Sequence, residues 1–207
     1  SDFPEDDAFL VDLRRSMLEL GVIPNGREEI IWIRKLASPQ YAAFWDEAVL
    51  AMSNLPEERK NSLELRDIPI VVSVHRHAPH LMNITTLKAL SKIQSQLEGE
   101  THYFETEGGG SFDSRSEMLA THIESLTWGD AMAVQMILQA LDVPEVRAHL
   151  FDYAKRDLEE KSTEFGGVIA LDTQGRFEIL EFEPKIRHHD RRFNASQQMF
   201  DSAYTAL

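Results

Sequence analysis

The sequence predicts a mainly α-helical protein that ends in a small α+β segment, on two observations. Through residues 1–142, apolar side chains recur three or four positions apart, which is the spacing of one face of a helix. After Lys161 the period changes, and two runs rich in β-forming residues, "EFGGVIALD" and "RFEILEFEP", flank the turn-like sequence "DTQGR". We therefore expect antiparallel helix pairs over residues 1–142, followed by a β-hairpin and a helix within residues 143–207.

The first helices are separated by strong turn signals. The first keeps the helical spacing at Leu10, Leu13, Met17 and Leu20, and "GVIPNG" then ends it. The segments "REEIIWIRKL" and "YAAFWDEAVLAMSNL" repeat the pattern, and each is followed by a proline. Helices of about 10 to 15 residues joined by short turns are typical of paired antiparallel helices. They would also suit a HEAT-like scaffold, although no repeat of fixed period is present.

The segment "RDIPIVVSVHRHAPHLM" interrupts this pattern. Residues 68–74 form a continuous, mostly β-branched apolar run, which predicts a short buried strand or an extended connection. The next segment, "NITTLKALSKIQSQLEGE", returns to helical spacing, and we expect Asn83 to cap its helix. A glycine run at residues 108–110 then predicts a loop. No Lys-Ser or Lys-Thr follows it, so it is not a phosphate-binding loop.

Three further helices are expected before the hairpin: "DSRSEMLATHIESL", "WGDAMAVQMILQALD" and "PEVRAHLFDYAKRDLEEK", the last of which Pro144 opens. Asp172 and Gly175 fit the tight connection between the two strands. Both faces of the second strand are partly apolar, which favours a central position in a sheet. The last helix, "NASQQMFDSAYTAL", is expected to be capped by Asn194 or Ser196.

Composition excludes several classes of function. The 207 residues carry a formal net charge of −14, which argues against nucleic-acid binding through a broad face, because nucleic acid is itself polyanionic. The absence of cysteine rules out disulfides, thiolate catalysis, iron–sulfur clusters and cysteine-rich zinc sites. No apolar run approaches the roughly 18 to 20 residues that span a bilayer, and no signal-peptide pattern opens the sequence. We therefore expect no membrane association and a cytoplasmic protein.

Three histidines in the segment "HRHAPH" are candidate metal ligands. In an extended chain His75 and His77 would lie on one side and could share a metal, with His80 close by. A complete site would need further ligands from elsewhere. Polar loop histidines would give the same pattern, so both interpretations stay open. The basic segment "KIRHHDRR" at residues 185–192 likewise suits either an anion site or a solvated loop.

Glu164 is the candidate catalytic residue. It follows a charged helix and precedes "FGGVI", so it lies at the corner between a helix and a strand. Gly166 and Gly167 would let another backbone approach closely, and a carboxylate at such a corner can face a cleft. An ordinary surface carboxylate would look the same. The sequence contains neither the GxSxG of serine hydrolases nor the HExxH of helical zinc sites.

Residues 143–207 resemble the opening half of the JAMM (MPN-type) metalloprotease fold, in which a glutamate precedes a glycine-containing first strand and a hairpin and helix follow. The pattern Glu-x-Gly-Gly-Val-Ile is matched by Glu164, Gly166, Gly167, Val168 and Ile169. The resemblance implies that Glu164 is the general acid/base acting on a zinc-bound water.

The zinc ligands of that family, a His-x-His pair and an aspartate, would come after residue 207. The helical pattern is still running at Leu207, and we expect the polypeptide to continue. His75 and His77 lie upstream of Glu164, with no aspartate at the family's spacing, and are not taken as that pair.

Three functions therefore stay open. In the first, the chain is an incomplete JAMM-like, metal-dependent peptidase or isopeptidase module behind a helical scaffold that positions a protein partner or substrate. In the second, it is a non-catalytic helical interaction protein whose hairpin caps the helices and offers a strand edge for pairing. The third is a metal or ligand site at His75, His77 and His80.

Overall fold

The computed structural model describes residues 7–98, 123, 125–160, 164–183, 193–203 and 205. It confirms the predicted fold class, because the described residues are mainly helical and an antiparallel two-stranded hairpin is followed by a further helix. The glycine run at 108–110, most of the helix predicted at 113–126 and the basic segment at 185–192 lie outside the described residues. Among the described helices, none has the length and apolar character that crossing a bilayer requires.

The first helices follow the predicted turn signals. Asp7 caps the first one, because its Oδ1 accepts hydrogen bonds from the backbone N–H groups of Phe9 (2.9 Å) and Leu10 (3.3 Å). A π-helical turn, Ser16–Leu20, follows this helix and ends at Gly21, whose φ of 72° is left-handed and suits glycine. These helices are α1 (Ala8–Arg15), α2 (Arg27–Leu36), α3 (Ala42–Ser53) and α4 (Glu57–Lys60).

The segment expected to be a strand or an extended connection is a helix, α5 (Ile68–His77), and that prediction was wrong. Six of the ten residues of α5 are buried, so the helix is apolar on most sides. A helix buried in this way lacks the polar face that would distinguish it from a buried strand. Pro69 fits its first turn, where the missing N–H has no partner within the helix in any case.

Helix α6 (Thr86–Leu97) begins slightly later than predicted. Its cap is Thr85, whose Oγ1 accepts a hydrogen bond from the backbone N–H of Lys88 at 3.2 Å. Asn83, the predicted cap, instead ends a 3₁₀ turn over Pro79–Asn83.

Helices α7 (Trp128–Asp142) and α8 (Pro144–Glu159) complete the helical part. A capping box begins α7: Thr127 Oγ1 accepts from the Asp130 N–H at 3.2 Å, and Asp130 Oδ2 accepts from the Thr127 N–H at 2.9 Å. Pro144 opens α8, as predicted. Helices α2, α3, α5, α6 and α7 share one buried core, which includes Leu36, Met52, Ile68, Ile93 and Trp128.

The predicted hairpin is present as β1 (Gly166–Leu171) and β2 (Phe177–Phe182), paired antiparallel with Leu171 opposite Phe177. Its turn has the expected chemistry, because Asp172 Oδ1 accepts from the backbone N–H groups of Gln174 (2.8 Å) and Arg176 (2.9 Å). In the described part of the chain the sheet has two strands, so the central position expected for β2 was wrong. The second apolar face of β2 is explained by α8, which packs against this strand.

Helix α9 (Gln197–Ala203) closes the described chain. Ser196, one of the two predicted caps, accepts a hydrogen bond on Oγ from the Met199 N–H at 3.2 Å. The helix packs against β1, and its Asp201 forms an ion pair with Lys35 of α2. Since the hairpin residues Leu171 and Phe177 also pack against the helical core, α9 and the hairpin are both anchored to the helices. The domain division predicted at residues 142 and 143 stays a prediction.

Candidate functional site

Glu164 lies at the predicted corner, two residues before β1. It is half-buried, and no hydrogen bond or ion pair joins it to another described residue. Glu164 lines neither of the two cavities that border the hairpin. Its catalytic role therefore stays a prediction that rests on the resemblance.

The structure does not bring the three candidate histidines together. Because they follow a helical path, His75 and His77 are separated by about 200° around α5 and do not share a side. His75 Nε2 lies 3.1 Å from Nδ2 of Asn54, His77 faces the hairpin, and His80 is exposed in the 3₁₀ turn. Among the described residues, no three histidine, aspartate or glutamate side chains are grouped so that they could hold a metal.

A cluster that the sequence did not single out joins α8 to the hairpin beside Glu164. Arg156 donates two hydrogen bonds to Glu181, from Nη2 to Oε1 at 2.7 Å and from Nη1 to Oε2 at 3.1 Å. The same guanidinium lies over the ring of Phe165, 4.1 Å from its centroid. The hydrogen bonds from Arg156 lower the pKa of Glu181, and burial raises the pKa of Tyr153 to about 12. Because Arg156 and Glu181 satisfy each other, we assign the cluster a structural role.

An apolar cleft of about 370 Å³ lies between α5, α7, β1 and α9. We define the apolar cleft by its lining residues Ile70, Ala133, Met136, Ile137, Gly167, Val168, Ile169 and Ala203. The cleft is partly open to solvent, and Ile137 is 50% exposed at its border. Its volume is in the range of small-ligand pockets, but none of its described lining residues offers a polar side chain to orient a ligand.

The apolar cleft runs along the free edge of β1. Three successive strand residues, Gly167, Val168 and Ile169, line it. Successive side chains of a strand point to opposite faces, so a cavity that touches three in a row borders the strand edge rather than one face. Within the described residues β1 pairs with β2 alone, which leaves this edge without a neighbouring strand.

A second, smaller cavity of about 130 Å³ lies between α5, α7 and the hairpin turn. We call it the polar cavity, and its polar lining consists of Ser73, His77, Gln135 and Gln139. The hairpin turn packs closely on it: a Cβ placed on Gly175 would lie 2.7 Å from His77 Nδ1.

Two residues that line the polar cavity carry buried hydrogen-bonding groups without partners in the described chain. Gln135 is 1% exposed, and neither its Nε2 nor its Oε1 has a hydrogen-bond partner in the described chain; the same is true of the buried Nε2 of His77. An unsatisfied buried polar group costs about 1 to 3 kcal/mol. Burial, followed by the positive charge of Arg76, lowers the pKa of His77, so its imidazole is neutral near pH 7. These buried atoms are closed off from the open volume of the cavity, and none of the described residues on its wall carries a full charge at this pH.

Sequence reasoning singled out His77 but missed Gln135. The available signal was a glutamine inside the apolar run "MAVQMILQAL", four residues before Gln139 on the same helical face. A polar side chain at a core position of an otherwise apolar helix indicates an internal partner or a ligand.

The zinc that the JAMM resemblance implies does not fit the described residues. His77 faces the polar cavity and Glu164 does not line it, and no described group of three candidate ligands exists. In the comparisons with known proteins, no family model, no curated protein and no solved structure matches this chain.

Proposed function

We propose that this chain is a non-catalytic interaction module whose apolar cleft receives an extended segment of a partner protein along the edge of β1. The observation that carries the proposal is the cleft's lining by three successive residues of a strand that has no second neighbour among the described residues. An exposed strand edge presents unpaired N–H and C=O groups, to which an added strand can bind.

The chemistry of the cleft indicates what kind of segment it would take. Backbone hydrogen bonds to β1 would hold the added strand, and alternate side chains of that strand would point toward Ile70, Met136 and Ile137. These side chains accept aliphatic groups rather than charged ones. The net charge of −14 would favour a segment with basic residues on either side of its apolar core.

The proposal is tested by selecting peptides from a random eight-residue display library and measuring their binding by calorimetry. Selected peptides should carry alternating aliphatic residues. Each peptide is made in two versions, N-methylated at one or the other set of alternate backbone amides. One version should lose binding and the other should bind almost as before, because only one set of N–H groups faces β1.

Two matched variants locate the binding surface. Ile137→Arg places a charge at the cleft and should abolish binding, whereas Ile31→Arg, at a site of similar exposure (43%) outside the cleft, should not. Two results would contradict binding along β1. One is an equal loss of peptide binding in both variants, and the other is binding that does not depend on which set of alternate amides is N-methylated.

A second candidate function is the JAMM-like peptidase or isopeptidase, and the order of elements favours it. Glu164 precedes β1, a hairpin follows, and α9 packs on β1, which is the order that the resemblance implies. The test is to measure zinc content and isopeptide cleavage in the natural full-length polypeptide. Stoichiometric zinc, with activity that falls by orders of magnitude in Glu164→Gln, would support this candidate. A polypeptide without zinc would rule it out.

A further inference from the structure

We infer that Asn25 is a site of spontaneous chemical modification, at which its side-chain carboxamide is converted into the carboxylate of an aspartate or an isoaspartate. The site lies in the connection that leads into α2, and the inference does not depend on peptide binding in the apolar cleft.

The first step concerns the residue that follows Asn25. Asparagine is a thermolabile residue, because the backbone nitrogen of the next residue can attack its carboxamide. Glycine hinders this approach least, since it has no Cβ. Asn25 precedes Gly26, and no other asparagine of the sequence precedes a glycine. A Cβ placed on Gly26 would meet no heavy atom within 4 Å, so the space around this residue is open as well.

The second step concerns the two reacting groups, which the fold leaves unrestrained. Asn25 and Gly26 are both exposed, and α2 begins at the residue after them. The backbone N–H of Asn25 donates to Oε2 of Glu29 at 2.6 Å. Neither the carboxamide of Asn25 nor the backbone N–H of Gly26 forms a hydrogen bond with a described residue. The electrophile and the nucleophile are therefore both available for reaction.

The third step is the reaction itself. The backbone nitrogen of Gly26 loses its proton and attacks Cγ of Asn25. The new N–Cγ bond closes a succinimide ring, and the Cγ–Nδ2 bond breaks, so that ammonia leaves with the proton. Water then opens the ring. Cleavage of the bond from the nitrogen to Cγ gives aspartate, whereas cleavage of the bond to the main-chain carbonyl carbon gives isoaspartate, in which the main chain runs through Cγ.

Asn61 is a matched control within the same molecule. It is also exposed, but it precedes Ser62, which carries a Cβ. The backbone N–H of Ser62 donates to the carbonyl oxygen of Arg59 at 3.0 Å. The nucleophile at this position is therefore both hindered and already hydrogen-bonded, and Asn61 should keep its carboxamide.

The experiment incubates the folded protein at neutral and at mildly alkaline pH and follows its tryptic peptides by mass spectrometry. Residues 16–27 form one such peptide, in which Asn25 carries the only carboxamide, and residues 61–66 form another, which contains Asn61. The first peptide should gain the mass of an amide-to-acid conversion and become a substrate for an isoaspartyl O-methyltransferase. Its conversion should be faster at the higher pH, because the nitrogen of Gly26 must lose its proton. The second peptide should stay unchanged.

Gly26→Ala tests the role of the glycine without a steric conflict, because the new Cβ meets no heavy atom within 4 Å. Its conversion should be at least about tenfold slower than in the unmodified protein. Protein unfolded in guanidinium chloride sets the period of observation. Three results would overturn the inference: no conversion of Asn25 in the folded protein within the period that the unfolded protein needs; equal conversion at Asn61 and Asn25; or undiminished conversion in Gly26→Ala.

Discussion

Replacement of Gly175 by alanine tests how closely the hairpin turn packs on His77. Gly175 has a φ of 76°, and an L-residue in the left-handed region costs about 1 to 2 kcal/mol. The new Cβ would also lie 2.7 Å from His77 Nδ1, so the imidazole or the turn must move by several tenths of an ångström. Overpacking of this kind costs about 1 to 3 kcal/mol. Together these terms predict that Gly175→Ala lowers the free energy of unfolding by about 2 to 5 kcal/mol.

A double-mutant cycle separates the two costs. In a His77→Ala background the steric conflict disappears, and only the backbone cost of about 1 to 2 kcal/mol should remain. The coupling free energy between the two substitutions should therefore be at least about 1 kcal/mol. Urea unfolding of the four proteins, fitted with a common slope, measures it.

Gly26→Ala is the matched control. Gly26 has an extended φ of −174°, and a Cβ placed there meets no heavy atom within 4 Å. Its replacement should change the free energy of unfolding by less than about 1 kcal/mol. If Gly175→Ala were no more costly than Gly26→Ala, or equally costly with and without His77, the turn would not pack on the imidazole. The polar cavity would then not exist in the form described.

Three further predictions concern the anchoring of the elements. Thr127→Ala should lower the free energy of unfolding by about 1 kcal/mol, because α7 loses its cap. Thr86→Ala, just inside α6, is the control and should lower it by less when both variants are compared by thermal unfolding. The pKa of Glu181 is lowered in the folded state. Its ionised carboxylate therefore stabilises the fold above the unfolded-state pKa of 4.5, and this stabilisation is lost as pH falls through the folded-state pKa. Arg156→Met should therefore reduce stability at pH 7 and flatten its decline below about pH 4.5 in a series of urea unfolding curves. Asp201→Ala should free α9 from α2 and speed its cleavage in limited proteolysis.

The hairpin was predictable from sequence because its signals are local. Asp172 and Gly175 form the turn through hydrogen bonds and a left-handed φ that involve only their own neighbours. The cap of α9 and the proline that opens α8 are local in the same sense. For such features the residues that determine the structure are adjacent in the chain, and sequence reasoning identifies them directly.

Helix α5 was not predictable in the same way. Its β-branched residues favour a strand, and its burial among α3, α7 and the hairpin turn removes the polar face that would identify a helix. Tertiary packing overrides local propensity here, and a single sequence does not display that packing. The error also changed the interpretation of the site, because the metal hypothesis for His75 and His77 assumed an extended chain.

Both cavities follow from the way in which the hairpin rests on the helices. From the hairpin, Leu171 and Phe177 pack against the main core, both at the end next to the turn. The polar cavity lies beside this contact, where Gly175 brings no side chain and Gln135 on α7 has no partner among the described residues. Further along β1, Gly167, Val168 and Ile169 line the apolar cleft together with Ile137. A two-stranded sheet has too few inward side chains to cover the face of α7 that a complete core would bury. Unfilled volume therefore remains at this junction, and an extended segment bound in the apolar cleft would add the packing that the hairpin does not supply.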